Sequence, residues 1–237
     1  MVLPEIDSTN AEAARLAEAG AGPTWILAGF QTLGRGRRGR AWVSPRGNFH
    51  ATLMDRPAGP PAQVALLSFA AGLALREALA ALAPGVYTLK WPNDVLLNGG
   101  KVAGILLESA GAGGRVSYLA AGMGVNLIAA PDPADLEPGA RRPVSVLAET
   151  GMRVEPAALL DRLAPAYACL SARLAADGFR PLRDAWLAHA AGLGAPLTAR
   201  TGTETATGVF ETIDATGALV LLTPDGRRSI PAGDVYF

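Results

Sequence analysis

The chain has 237 residues, half of them apolar, with 21 basic residues against 21 acidic ones and so no formal net charge. That is enough apolar material for one substantial core and a small second module. Neutrality excludes a whole-molecule field that draws in nucleic acid or an anionic membrane, so any electrostatic function has to be local.

Residues 1–7 are neither basic nor a long apolar segment, so no signal peptide is expected. Asp7-Ser8-Thr9-Asn10-Ala11-Glu12 reads as a helix start, with Thr9 as N-cap and Glu12 closing a capping box; the helix runs to about Ala19 and Gly20 ends it. The apolar run 24–30 is a buried strand that delivers the chain into Gly34-Arg35-Gly36-Arg37-Arg38-Gly39-Arg40. Residues 48–54 make another strand and 61–82 a long, largely buried helix. No uncharged apolar run approaches the ~20 residues needed to span a bilayer. Strands over 87–91 and 94–97 lead to Asn98-Gly99-Gly100, a strong turn signal because Asn and Gly tolerate positive φ. A strand over 101–108, a turn at 111–114 and a strand over 116–126 follow. Strands joined by turns imply a mainly antiparallel or mixed sheet instead of a doubly wound fold.

Residues 129–143, rich in Pro, Ala and Asp, read as a surface loop. Helices are expected over 156–176, where Pro165 should kink or split the segment, and over 180–190. Cys169, the one cysteine of the chain, excludes an intrachain disulfide and fits a reducing cytoplasm. From Gly194 onward, short alternating segments around 197–199, 208–210, 218–222 and 228–230 suggest a small all-β barrel. The expected fold class is therefore α+β, divided into residues 1–192 and 193–237.

Charge is concentrated in one place. Residues 31–46 hold five arginines and no acid, so this window carries +5 and the remainder −5. Glycine lets backbone N–H groups turn toward an anion, and guanidinium forks bind phosphate or carboxylate bidentately. Taken alone, the segment is equally a loop over phosphate or else a flexible RNA-binding stretch or solvated linker. Only two of the 21 basic residues are lysines, Lys90 and Lys101. Between them stands Trp91-Pro92-Asn93-Asp94, in which Asp94 is suited to orient a hydrated Mg²⁺ or a cationic side chain. Gly122-Met123-Gly124-Val125-Asn126 ends a strand with small residues, where a ligand or a packing contact can lie close to the backbone. His50 and His189 are far apart in sequence, and no protein-built metal site is assigned.

In this order, residues 5–10, Gln31 with residues 34–42, Lys90-Trp91-Pro92-Asn93-Asp94, residues 101–106 and residues 122–126 resemble the biotin–protein ligases, also called biotin–[acetyl-CoA-carboxylase] ligases. The resemblance covers the first half of the chain by motif and the remainder by layout. It implies a class II aminoacyl-tRNA synthetase-like catalytic domain and an SH3-like C-terminal domain. It further implies that biotin's carboxylate attacks the α-phosphorus of MgATP, and that a lysine of a biotin carboxyl carrier protein then takes the biotinyl group from biotinyl-5′-AMP. The chain enters the Glu5 motif almost at once, so the N-terminal DNA-binding helix-turn-helix of some members, and repression with it, is not expected. Homodimerisation through the catalytic sheet occurs in some relatives.

By the same resemblance Ser8, Thr9, Asn10, Gln31, Gly34, Arg35, Arg37, Lys101, Gly104, Gly122 and Gly124 hold biotin. Arg37, Arg40, Trp42, Asn93, Lys101 and Asn126 serve ATP and the adenylate, and Asp94 assists Mg²⁺. Arg37 and Lys101 are the expected catalytic cations, and the Arg/Gly loop a lid that orders over its anion. Lipoate-type ligases and octanoyltransferases share the catalytic architecture, but their Arg-Arg-x-Ser-Gly-Gly-Gly stretch is absent here. An RNA-binding loop is the remaining rival, weakened because Trp42 is the one aromatic residue of the +5 window.

Overall fold

The computed structural model describes residues 1–132, 141–202 and 204–236. Among them a seven-stranded sheet runs in the order β1 (Val2–Leu3), β2 (Thr24–Ala28), β3 (Phe49–Asp55), β7 (Arg115–Val125), β6 (Gly100–Ala112), β5 (Asp94–Leu97) and β4 (Tyr87–Lys90). Only the short β1–β2 pair is parallel and every other neighbour is antiparallel, so the sheet is mixed as expected. Asn98 and Gly99 turn β5 into β6 with φ of 50° and 83°, the left-handed conformation that the Asn-Gly-Gly signal calls for.

One face of the sheet is covered by α3 (Leu67–Leu82), α5 (Pro156–Asp177) and α6 (Phe179–Leu187), which pack on one another. Leu75, Leu79, Leu159 and Leu163 are each 0% exposed there, and full burial of such side chains contributes about 1.5–3 kcal/mol apiece. The expected single helix over 61–82 is broken at Leu66 into α2 (Pro61–Ala65) and α3. The stretch is long and apolar enough to cross a membrane by length and composition, reaching a mean hydropathy of 1.6 over 18 residues, although Arg76 and Glu77 keep it from being an uncharged run. Its apolar character is accounted for by packing, since α3 is flanked by strands on one side and by α5 and α6 on the other. Of the kink or split expected at Pro165, the split does not occur: α5 is one continuous 22-residue element. Leu159 and Leu163 before the proline and Tyr167 and Leu170 after it are all buried, so packing on both sides offsets the roughly 3 kcal/mol that an interior proline costs.

The opposite face carries α1 (Thr9–Glu18) at one end, sealed by Ala13, Ala17, Ile26, Met54 and Ala120. Ser8, not Thr9, is the N-cap, and Glu12 bonds Arg15 instead of closing a capping box. Sequence reading missed α4 (Val146–Thr150), which Ser145 caps by accepting from the Ala148 N–H. Of the expected loop over 129–143, residues 133–140 lie outside the described residues.

A second, five-stranded antiparallel sheet, ordered β11 (Gly226–Ile230), β10 (Leu219–Thr223), β9 (Thr205–Ile213), β8 (Pro196–Arg200) and β12 (Asp234–Tyr236), forms the C-terminal module. The strand β12 was not anticipated. The module is joined to the first sheet by the indole of Trp91, which donates to the Gly217 carbonyl at 3.1 Å.

Candidate active site

Strand register builds the floor of the site. Asp94 stands opposite Gly104, Gly104 opposite Gly124, and Gly124 opposite His50, so four strands place two glycines side by side. One step along, Leu106, Gly122 and Thr52 make the next row. These glycines are close-approach positions. A Cβ on Gly124 would lie 2.5 Å from Trp42 Cε2 and Nε1, and one on Gly104 would lie 3.2 Å from Trp42 Cζ3. Gly122 leaves room in the same way for the Asn10 amide. The glycine row therefore seats Trp42 and Asn10, the packing alternative of the strand-end motif.

Around this floor is a cleft of about 630 Å³. Fifteen of the sixteen expected site residues line it; the exception is Gly34. Gly34 lies behind the wall, where a Cβ would meet the Trp42 carbonyl at 2.5 Å and the Ser44 hydroxyl at 2.6 Å, and its own carbonyl accepts from the Trp42 N–H.

At one end the start of α1 is tied down by buried polar groups. Gln31 Oε1 accepts from the Thr9 N–H at 2.8 Å and from its hydroxyl at 3.0 Å, while Gln31 Nε2 donates to Ser44. The Thr52 hydroxyl, 0% exposed, stands 2.8 Å from the Thr9 hydroxyl and 2.6 Å from Asn10 Oδ1. Asn10 Nδ2 donates to the Glu108 carboxylate at 2.7 Å. Such a network fixes a donor–acceptor pattern for a small polar ligand at little cost in reorganisation.

At the other end charge accumulates. Lys101 Nζ is 2.7 Å from Asp94 Oδ1 and lies 5.7 Å from the centre of the Trp42 ring, and Lys90 Nζ is 3.7 Å from Asp94 Oδ2. Burial works to raise the Asp94 pKa, but Lys101, Lys90 and Arg37 together hold it below the usual carboxylate value. Burial also pulls the Lys90 ammonium below its ordinary value, against the opposing pull of Asp94. The cationic side chains foreseen as partners of Asp94 are in place. Among the described residues no cluster of three His, Cys, Asp or Glu forms a metal site.

Asn93 is largely used up structurally: its Nδ2 donates to the Ile105 carbonyl at 2.5 Å and its carbonyl accepts from the Ile105 N–H, pinning the Trp-Pro-Asn-Asp turn to β6. Trp42 Nε1 and Asn126 Oδ1 are buried and make no hydrogen bond within the protein. Groups of this kind are uncommon in folded interiors and mark places where a bound polar molecule would complete the pairing. The loop arginines converge on a residue of the second module: Arg37 Nη1 donates to the Gly233 carbonyl at 3.1 Å, and Arg37, Arg38 and Arg40 all reach the Asp234 carboxylate within 3.4 Å.

Lys90, Arg141, Asp234 and Tyr236 also line the cleft and were not assigned to it. Lys90 carried a signal, being one of only two lysines. Asp234 and Tyr236 carried none, because they lie in a strand that the alternating pattern did not show.

A glycine floor, a cation-rich end and a polar pocket beside it make a site for an organic anion and a nucleotide. The family model described as "Biotin/lipoate A/B protein ligase family" matches residues 2–126, more than half of the chain, and the chain belongs to this family. A second model, "Biotin protein ligase C terminal domain", matches residues 192–237. Over its full length the chain is 56% identical to the Biotin--[acetyl-CoA-carboxylase] ligase of Paracoccus denitrificans, covering 99% of that protein. It is 33% identical to a Bifunctional ligase/repressor BirA of Bacillus spizizenii, over 97% of this chain and 71% of that protein. The fold matches the biotin protein ligase from Aquifex aeolicus in complex with biotin and ATP with a TM-score of 0.83 at 26% identity, covering 99% of this chain and 96% of that one.

Proposed function

We propose that this chain is an ATP-dependent biotin ligase that activates biotin as biotinyl-5′-AMP and transfers it to a lysine of a biotin carboxyl carrier protein. The observation that carries the reading is the placement of Lys101 and Arg37 at the cationic end of one cleft whose other end is the Thr9–Gln31–Asn10 pocket. Full-length similarity to a biotin–[acetyl-CoA-carboxylase] ligase supports the same substrate.

In the first step the biotin carboxylate oxygen forms a bond to the α-phosphorus of ATP, and the bond to the β-phosphate oxygen breaks to release pyrophosphate. Two anions have to approach, so fixed positive charge aimed at the transferring phosphoryl group is what lowers the barrier. Lys101 and Arg37 supply it, with Arg35 and Arg40 assisting from the loop. Asp94 holds the Lys101 ammonium in the cleft. Ser8, Thr9, Asn10, Gln31 and the glycines Gly34, Gly104, Gly122 and Gly124 form and back the biotin pocket, while Trp42, Asn93 and Asn126 serve the adenylate. Magnesium enters with ATP as part of the substrate, and Asp94, which lines the cleft, would assist its placement. In the second step the carrier lysine, as free amine, attacks the acyl carbon and AMP leaves.

The reading also takes residues 1–192 as the catalytic domain and 193–237 as the C-terminal domain, places the protein in the cytoplasm, gives it no DNA target and allows self-association through the catalytic sheet. The experiment is biotin-dependent exchange of pyrophosphate into ATP, followed by transfer of labelled biotin to a carrier domain. Exchange with lipoate or octanoate but not biotin would reassign the substrate. Nucleic-acid binding with steep salt dependence and no exchange would reject the enzyme.

A further inference from the structure

Four like charges packed into seven residues repel one another, and a loop of this composition needs an anion to stay closed. In this structure the anion is part of the chain. Asp234, at the start of β12, has a side chain only 17% exposed, and its two carboxylate oxygens face guanidiniums of Arg37 at 3.4 Å, Arg38 at 3.0 Å and Arg40 at 3.2 Å. The neighbouring Gly233 carbonyl accepts a further bond from Arg37. Arg37, Arg40 and Asp234 all line the cleft, so the carboxylate sits on the surface where the proposed reaction places a polyphosphate.

We propose that Asp234 is a positioning residue of the C-terminal module, a resident counter-anion that holds the arginine loop in place and is exchanged for the phosphates of ATP when the nucleotide binds. The identity of ATP as the displacing anion rests on the biotin-ligase reading; the clasp itself does not. A polyphosphate offers more charge and more acceptor oxygens than one carboxylate to the same forks. The exchange leaves Asp234 without its arginine partners and frees the edge strand β12, through which nucleotide binding is transmitted to the second module. Asp234 thus competes with ATP for the loop, and the competition sets nucleotide affinity without a contact between Asp234 and the substrate.

The test compares wild type, Asp234→Asn and Asp234→Glu with three readouts. Trypsin cuts after arginine, and cleavage after residues 37, 38 and 40, followed by mass spectrometry, reports how firmly the loop is held. Without ligand, Asp234→Asn should be cut several-fold faster than wild type, and Asp234→Glu should stay near wild type. In pyrophosphate exchange, the KM for ATP of Asp234→Asn should fall about three- to tenfold, the scale of a few partly exposed charge pairs, and Asp234→Glu should restore it. A merely structural role would instead lower kcat or raise KM. Should Asp234→Asn not fold, hydrogen exchange on the wild type decides: inorganic tripolyphosphate should loosen residues 233–236 while protecting the loop. Equal cleavage of wild type and Asp234→Asn, a KM for ATP that is unchanged or raised, or tripolyphosphate binding without change at residues 233–236 would each overturn the proposal. If wild type shows no biotin-dependent exchange, the functional reading fails, and the cleavage and tripolyphosphate arms still judge the clasp.

Discussion

The Lys101 ammonium and the Asp94 carboxylate are 2.7 Å apart, and the Asp94 side chain is only 11% exposed. Lys101 itself is 32% exposed and faces the cleft, so the pair has a buried half that orients and an open half that acts. Replacing Lys101 by Ala should therefore cost about 10²- to 10³-fold in biotin-dependent exchange, the scale of losing one preorganised charge at a transition state. Lys90 still faces Asp94, so the melting temperature should move by only a few degrees. Arg37→Ala should give a loss of the same order. Near-wild-type exchange in both variants would remove them from the chemistry.

Asp94→Asn tests the buried half by pH. The folded-state pKa of Asp94 lies below the unfolded value of 3.8, so its ionised form stabilises the fold above that value. The wild type should be more stable than Asp94→Asn near pH 7, and the gap should close as the pH falls below 3.8 through the folded pKa. Urea melts at several pH values read this directly; a gap that persists unchanged into acid would contradict the ion pair.

Gly124 is a packing position under Trp42. An added methyl group would lie 2.5 Å from the indole, and overpacking of this kind costs about 1–3 kcal/mol when the neighbours cannot move. Trp42 is borne on a loop and can move, so Gly124→Ala should raise the KM for ATP more than it lowers the melting temperature. The indole's fluorescence in the free protein should shift; an unchanged spectrum with lost stability would mean that the sheet itself gave way.

Trp91 links the two modules. Its side chain is 2% exposed, and Trp91→Phe leaves the Gly217 carbonyl without its donor, for a loss of about 1–3 kcal/mol. Calorimetry should show this loss concentrated in the transition of the C-terminal module. An unaltered melt would mean that water replaces the indole without penalty.

Much of this protein is determined locally and is legible without coordinates. Alternating and apolar runs place β2 through β7, Asn98-Gly99 sets a hairpin because few other residues accept two consecutive positive φ values, and five ordered motifs single out fifteen of the residues that line the cleft. What pairs with what is decided only in three dimensions. Strand register sets Gly104 beside Gly124 and so creates the seat for Trp42, a contact between residues more than sixty positions apart. Thr9 offers a hydroxyl fit for a helix cap, but it is already the first helical residue, with Ser8 as the cap, and its hydroxyl donates to Gln31 Oε1. Pro165 signals a kink or split, and packing on both sides of it keeps the helix from splitting. Asp234 lies nearly two hundred residues from the arginines it holds, in a three-residue strand too short to show a pattern of its own. Propensity and spacing act within a few residues of the chain, whereas hydrogen-bond competition and charge pairing depend on which groups the folded sheets bring within about 3 Å of each other.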